Sequence, residues 1–161
     1  MLKTRVQDAI NEQINAEMYS SYLYLAMAAW ADAEAWPGIA HWFRAQAGEE
    51  NEHALKFYHY VTERGGRVFL KAIDCPPENW DSVLDAFKAT LAHEIEVTRL
   101  INGLYEVALE EKDYATQSLL RWFIDEQVEE EASAQTILDQ LDKAGNKSHV
   151  ILQLDRALAA R

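Results

Sequence analysis

The feature that most constrains this chain is a contradiction repeated four times. Four long stretches with helical periodicity carry apolar residues along the line that should face a core, yet each line turns polar at its middle. In steps of three and four, the first line reads Ile10, Ile14, Glu17, Ser21, Tyr24, Ala28, and the second Phe43, Gln46, Glu50, His53, Phe57, Tyr60. The third reads Phe87, Leu91, Glu94, Thr98, Ile101, Tyr105, and the fourth Leu120, Phe123, Gln127, Glu130, Ala134, Ile137, Leu141. Apolar ends require the four stretches to pack together. The polar middles then converge at one level, bringing Glu17, Glu50, His53, Glu94, Gln127 and Glu130 into a single core layer.

The punctuation of the sequence sets the helix boundaries. The first helix is predicted from about Thr4 to Ala33, before "WPG", where Pro37 suits the first turn of the second, which runs to about Arg64. Residues 65–81, "GGRVFLKAIDCPPENWD", lack helical periodicity, and Asp81 or Ser82 can cap a third helix ending near Glu110. Asp113 can cap a fourth that ends before Gly145, and "SHVILQLDRALAA" forms a short amphipathic fifth. Tight connections make the first pair and the second pair antiparallel. At about 3.3 Å per extended residue, the segment 65–81 can span the length of a helix, so the second and third helices can run parallel. The expected fold is all-α, a four-helix bundle with one long crossover between the second and third helices. With 161 residues, three prolines and six glycines, it is expected to be one domain over 1–161, with the bundle at about 4–143 and the short helix at about 147–160.

Charge narrows the partners. A net charge of −12 repels phosphate backbones and anionic lipid, so neither nucleic acid nor a membrane surface is expected, and cations are favoured. The longest apolar run, Tyr22 to Ala31, is about half of the ~20 residues of a spanning helix, and the N-terminus lacks the apolar segment of a signal peptide. One cysteine, Cys75, cannot form an internal disulfide, and it fits a reducing, cytoplasmic setting.

Carboxylates buried at this density cannot stay ionised and unpaired, because desolvation costs several kcal/mol each. Oxygen and imidazole donors suit Fe, Mn or Zn. Glu50 and His53, one turn apart, can meet one ion, and a Glu from a neighbouring helix can close the site. Di-iron carboxylate bundles use one Glu from each of two helices plus Glu-x-x-His from the other two. This chain has one such motif and, on the fourth helix, Gln127-x-x-Glu130. A shift of 77 positions maps Glu17 onto Glu94, Glu50 onto Gln127 and His53 onto Glu130. Two related hairpins with unequal ligand sets are therefore expected.

At this point the chain resembles the non-haem ferritins of bacteria and archaea. "QINAEMYSSYLYLAMA", "EENEHALKFYHYVTERGGRV", "PPENWDS", "EEKDYAT" and "WFIDEQVEEEAS" match that family in order across essentially the whole length. The resemblance implies a ferroxidase centre with Glu17, Glu50 and His53 around one iron, and Glu50, Glu94 and Glu130 around the other, Glu50 bridging. Gln127 matches a position that orients oxygen or water near the second iron. Glu49, Glu126 and Glu129 match a third, weaker iron site. Tyr24 and Trp122 match aromatic residues that supply electrons during oxygen reduction. Bacterioferritins carry a second Glu-x-x-His and a haem-binding methionine where this chain has Gln127-Val-Glu-Glu130 and Asn51, so no haem is expected. Rubrerythrins add paired Cys-x-x-Cys motifs that one cysteine cannot supply, and starvation-type mini-ferritins lack the fifth helix.

The resemblance further implies that Fe(II) is oxidised by O2 or H2O2 and that Fe(III) is stored as mineral in a homo-oligomeric shell, typically of twenty-four subunits. Two rival readings stay open from the residues themselves: a di-iron oxidase or peroxide scavenger that forms no shell, and a metal-free scaffold whose acids only hydrogen-bond. Acid at the flanking positions 49, 52, 126 and 129 is also compatible with plain solvated surface, and aromatics at helical spacing with packing. His41, His59, His93 and His149 lie off the core lines and are expected at the surface or at helix caps.

Overall fold

A computed structural model describes residues 1–145 and 147–160; Asn146 and Arg161, within the span expected for the domain, lie outside the described residues. The helices are α1 (Thr4–Ala33), α2 (Pro37–Glu63), α3 (Val83–Glu110), α4 (Tyr114–Ala144) and α5 (Ser148–Leu158). Each boundary has a local cause. Pro37 opens α2, where a missing amide hydrogen costs nothing. Ser82 caps α3 by accepting from the Asp85 amide at 3.1 Å, and Asp113 caps α4 by accepting from the Thr116 amide at 3.1 Å. Gly145 ends α4 in the left-handed conformation, φ 57°.

The contacts of the crossover settle the topology. It starts at the beginning of α1, where the Leu2 amide donates to the Arg64 carbonyl, and it follows α1 through bonds from Asn11 to the Arg67 carbonyl and from Asn15 to the Ala72 carbonyl. It ends beside the other end of α1, with Trp80 edge-on to Trp30 at 5.8 Å. Hence α3 starts where α1 finishes and runs parallel to α2. Between α2 and α4, Gln46 meets Glu130 while Phe57 stacks on Phe123 at 4.0 Å, so these two helices are antiparallel. The outcome is the expected four-helix bundle with one long crossover.

Helix α5 is docked by a specific contact. The buried Asp155 accepts from the Ile39 amide at 2.9 Å, at the N-terminal end of α2, where the helix dipole favours an anion. A Cβ on Gly38 would lie 1.7 Å from the Asp155 carbonyl oxygen, so glycine is required for this approach.

Two apolar clusters fill the bundle, one containing Met27, Phe43, Phe87 and Leu138, the other Ile10, Phe57, Ile101, Leu120 and Phe123. The polar layer lies between them. The line expected on α4 is buried throughout. That on α3 is rotated: Thr90, Val97 and Leu104 are buried, whereas Leu91, Thr98 and Tyr105 are only half-buried. Phe87, Glu94 and Ile101 repeat every seven residues and belong to both stripes, so the periodicity alone did not decide which intermediate residues turn inward. On α1, Ser20 is buried in place of Ser21, which is half-buried and donates to the Ala47 carbonyl at 2.7 Å, and Tyr60 on α2 is likewise half-buried.

Candidate metal centre

All six residues expected in the polar layer are buried: Glu17, Glu50, His53, Glu94, Gln127 and Glu130. Glu17, Glu50 and His53 form the tightest group, with one ligand atom from each within 4.8 Å of the others. His53 Nδ1 lies 3.5 Å from Glu50 Oε2. Among the described residues, Glu17 Oε2 and both carboxylate oxygens of Glu50 are buried without a hydrogen-bond partner. An unsatisfied buried carboxylate oxygen is costly, so an arrangement that brings one oxygen of each acid together with an imidazole fits a cation.

The other two acids are differently placed. Glu94 accepts from the Tyr24 hydroxyl and from Gln127 Nε2 at 3.1 Å, and Glu130 accepts from Gln46 Nε2 at 2.8 Å. They are nevertheless electrically part of the same layer, because the Glu94 and Glu130 charges both act on Glu50.

Proton affinities reflect this crowding. Burial, and then the neighbouring Glu50 charge, push Glu17 well above the ordinary carboxylate range; burial, and then Glu94, do the same to Glu50. Burial and the Glu94 charge raise Glu130 to about 7. Burial raises Glu94 too, opposed by its bonds from Tyr24 and Gln127. A divalent cation would replace these protons and reverse the shifts.

Tyr24 is fully buried, stacked near Phe43 at 6.2 Å with its hydroxyl on Glu94. Trp122 is 38% exposed and stands edge-on to His53 at 5.4 Å, with Lys56 Nζ 3.1 Å above its ring centre. Glu49 and Glu126 are half-buried and Glu129 is exposed; the Glu49 charge acts on both Glu50 and Glu130. The structure does not gather Glu49, Glu126 and Glu129 into a ligand cluster among its described residues.

Sequence reasoning missed three contacts of the layer. His93, expected at the surface, is instead partly buried against α1: its Nε2 lies 2.8 Å from Ser20 Oγ, its ring is edge-on to Tyr24 at 5.9 Å, and burial lowers its pKa to about 4. The small Ser20 leaves room for the imidazole there. Gln46 was placed on the core line, but its bond to Glu130 had no signature. Gln13 donates to Glu17 Oε1 at 2.8 Å from one turn earlier on α1, and a glutamine four residues before a core glutamate was the available signal.

Similar proteins are known over the whole length of the chain. The ferritin-like domain family matches residues 7–144. The chain is 40% identical to a bacterial non-haem ferritin of Staphylococcus aureus over 161 residues, covering 100% of this chain and 97% of the relative. It is 42% identical to one of Staphylococcus saprophyticus, with 96% of the relative covered. Among solved structures, an open-pore ferritin from the hyperthermophilic archaeon Archaeoglobus fulgidus superposes with a TM-score of 0.98 at 46% identity, covering 100% of this chain and 99% of that one.

Proposed function

Because the chain belongs to the ferritin-like domain family, we propose that its buried carboxylate layer is a ferroxidase centre, in which Fe(II) is bound, oxidised by O2 or H2O2 and passed on as Fe(III). The protein is a non-haem ferritin, and its broad function is iron storage. The observation that carries the finer reading is the set of partnerless buried oxygens on Glu17 and Glu50 beside His53. A metal-free scaffold would satisfy its buried acids with donors, as Glu94 and Glu130 are satisfied here.

Glu17, Glu50 and His53 would hold one iron, and Glu50, Glu94 and Glu130 the second, with Glu50 shared. Gln127, bonded to Glu94, would orient water or oxidant beside the second iron. Iron is substrate in this reaction. Carboxylates can change from one-oxygen to two-oxygen binding as the ion's charge rises, and hard oxygen donors favour Fe(III). A single histidine keeps the site weak enough to release its product. Tyr24 and Trp122 would supply electrons, a reading supported by the Tyr24 hydrogen bond to Glu94 and the Trp122 contact with His53. Glu49, Glu126 and Glu129 would form a looser third site, and haem is not part of the proposed mechanism. The stored mineral requires a multi-subunit shell, expected to contain twenty-four copies in the cytoplasm. Among the described residues no helix is long and apolar enough to cross a membrane.

The test is Fe(II) loading in air followed by size-exclusion chromatography and electron microscopy. Cored, hollow particles are the expected result. Iron oxidation by a particle of one or two subunits would replace storage with a di-iron oxidase, and an absence of iron-dependent near-ultraviolet absorbance would end the ferroxidase reading.

A further inference from the structure

The buried glutamates differ in what holds them. Neither oxygen of Glu50 accepts from an amide, hydroxyl or cationic donor, its close carboxyl neighbour being Glu17, whereas Glu17 Oε1 accepts from Gln13 Nε2 at 2.8 Å and its Oε2 from no such donor. Gln13 is 3% exposed and sits on the same face of α1 as Glu17, four residues earlier, so the helix itself fixes the distance between them. A neutral amide donor at one carboxylate oxygen restrains the group's rotation and draws electron density from the oxygen that a second metal bond would use. It also favours the ionised form of Glu17, against the burial that disfavours it.

We propose that Gln13 is a positioning residue of the metal centre: by tethering Oε1, it limits Glu17 to one-oxygen binding through Oε2 and leaves the change between one- and two-oxygen binding to Glu50. This rests on the ferroxidase reading above. It gives the two acids separate tasks. Glu17 is a fixed anchor, and Glu50 is the ligand free to move as iron is oxidised. Outer hydrogen bonds of this kind orient ligands and set the affinity and geometry of a site.

The test uses the assembled protein with Co(II) alone as the probe, read by its visible d–d absorption and by calorimetric titration without oxidant. In Gln13→Met, an unbranched side chain of similar length lacks the donor, so Glu17 is free to offer both oxygens. The expected results are a severalfold loss of d–d intensity, as the first ion gains a ligand atom, and a fall in affinity of about tenfold or more. Gln13→Asn retracts the amide by one methylene and should give the same spectrum as Gln13→Met, which keeps the test decisive if one variant assembles poorly. Unchanged spectra and affinity in whichever variants assemble, with only a lower thermal midpoint, would make Gln13 a packing residue and overturn the proposal. Failure of the underlying reading is distinct: Co(II) would then give no spectrum in the unaltered protein, or one indifferent to Glu17→Ala.

Discussion

The two hairpins of the bundle are built on one pattern and finished differently. Glu17, Glu50 and His53 on α1 and α2 correspond, 77 positions on, to Glu94, Gln127 and Glu130 on α3 and α4. In the first hairpin, three carboxylate oxygens are left without donors beside an imidazole. In the second, Glu94 is bonded by Tyr24 and Gln127, and Glu130 by Gln46. The first half is incomplete without a cation, and the second has neutral donors that a metal would have to displace or share. On the proposed reading a cation would meet unpaired oxygens in one half and bonded ones in the other, so the first half should fill first and hold more tightly.

The largest expected effect is at the residue both halves would share. Glu50→Ala should lower the initial rate of Fe(II) oxidation in air by at least about 100-fold, the upper end of what loss even of an outer-shell partner does to a metal site. Stopped-flow absorbance in the near ultraviolet measures it, and a loss of only a few fold would mean that the two hairpins do not share Glu50.

The next effect is electrostatic and reads the second half. Glu130 is raised from 4.5 to about 7, and its contribution to the stability of the metal-free protein follows from the sign of that shift. The folded protein holds this proton more tightly than the unfolded chain, so the contribution is complete below pH 4.5 and is lost as pH rises through about 7. At about 1.4 kcal/mol per unit this amounts to about 3 kcal/mol. His93 acts in the opposite sense: lowered from 6.5 to about 4, it stabilises above pH 6.5 and loses that contribution as pH falls. Between about pH 4.5 and 7 the loss from Glu130 and the gain from His93 therefore oppose each other in the thermal midpoint of metal-free protein, and Glu130→Gln should remove the loss, so that its midpoint climbs over this window relative to the unaltered protein. A Glu130→Gln profile parallel to that of the unaltered protein would contradict the assignment.

Smaller still is the contrast between equivalent acids in the two halves. Glu17→Gln replaces a buried acid that lacks a donor on one oxygen, and should stabilise the metal-free protein by about 1–2 kcal/mol while weakening metal binding. Glu94→Gln removes the charge that accepts from Tyr24 and Gln127, and should destabilise it by about 1 kcal/mol. Denaturant unfolding of both metal-free variants measures the pair. Shifts of the same sign would erase the distinction between an incomplete half and a satisfied one.

Legibility in the sequence followed the physics of each element. The α4 line was readable because its inward residues are uninterrupted from Leu120 to Leu141 and the charged residues lie to either side. The α3 line was not, since Phe87, Glu94 and Ile101 fit two stripes and α3 must face both α1 and α4. Ligand candidates stood out because acid in an apolar line is costly enough to need a cause. The residues that position them did not: Gln13, Gln46 and His93 are individually unremarkable in sequence, and acquire meaning only from an oxygen 2.8 Å away or from the space above Ser20. Helix caps, by contrast, are local: Asp113 and Gly145 could be placed from a few neighbouring letters, and the α3 cap narrowed to Asp81 or Ser82, of which Ser82 serves.

The smallest expected effect divides the acids of "GEENEHA". Glu50 and His53 face the layer, Glu49 is half-buried at its edge with its charge acting on Glu50 and Glu130, and Glu52 is exposed. Glu49→Gln removes one negative charge from beside two proposed ligands and, if Glu49 serves the third site, slows the passage of Fe(III) out of the centre. Its signature should be slower recovery of the oxidation rate when Fe(II) is added a second time. Glu52→Gln removes a charge that water already screens, so both the first and second additions should stay within about twofold of the unaltered protein and stability within about 0.5 kcal/mol. The two variants have the same formal charge, so any difference between them measures position alone. Equal slowing in both would mean that the helix presents its acids to iron as a diffuse charged face, and the one-turn division between Glu49 and Glu52 would have no functional content.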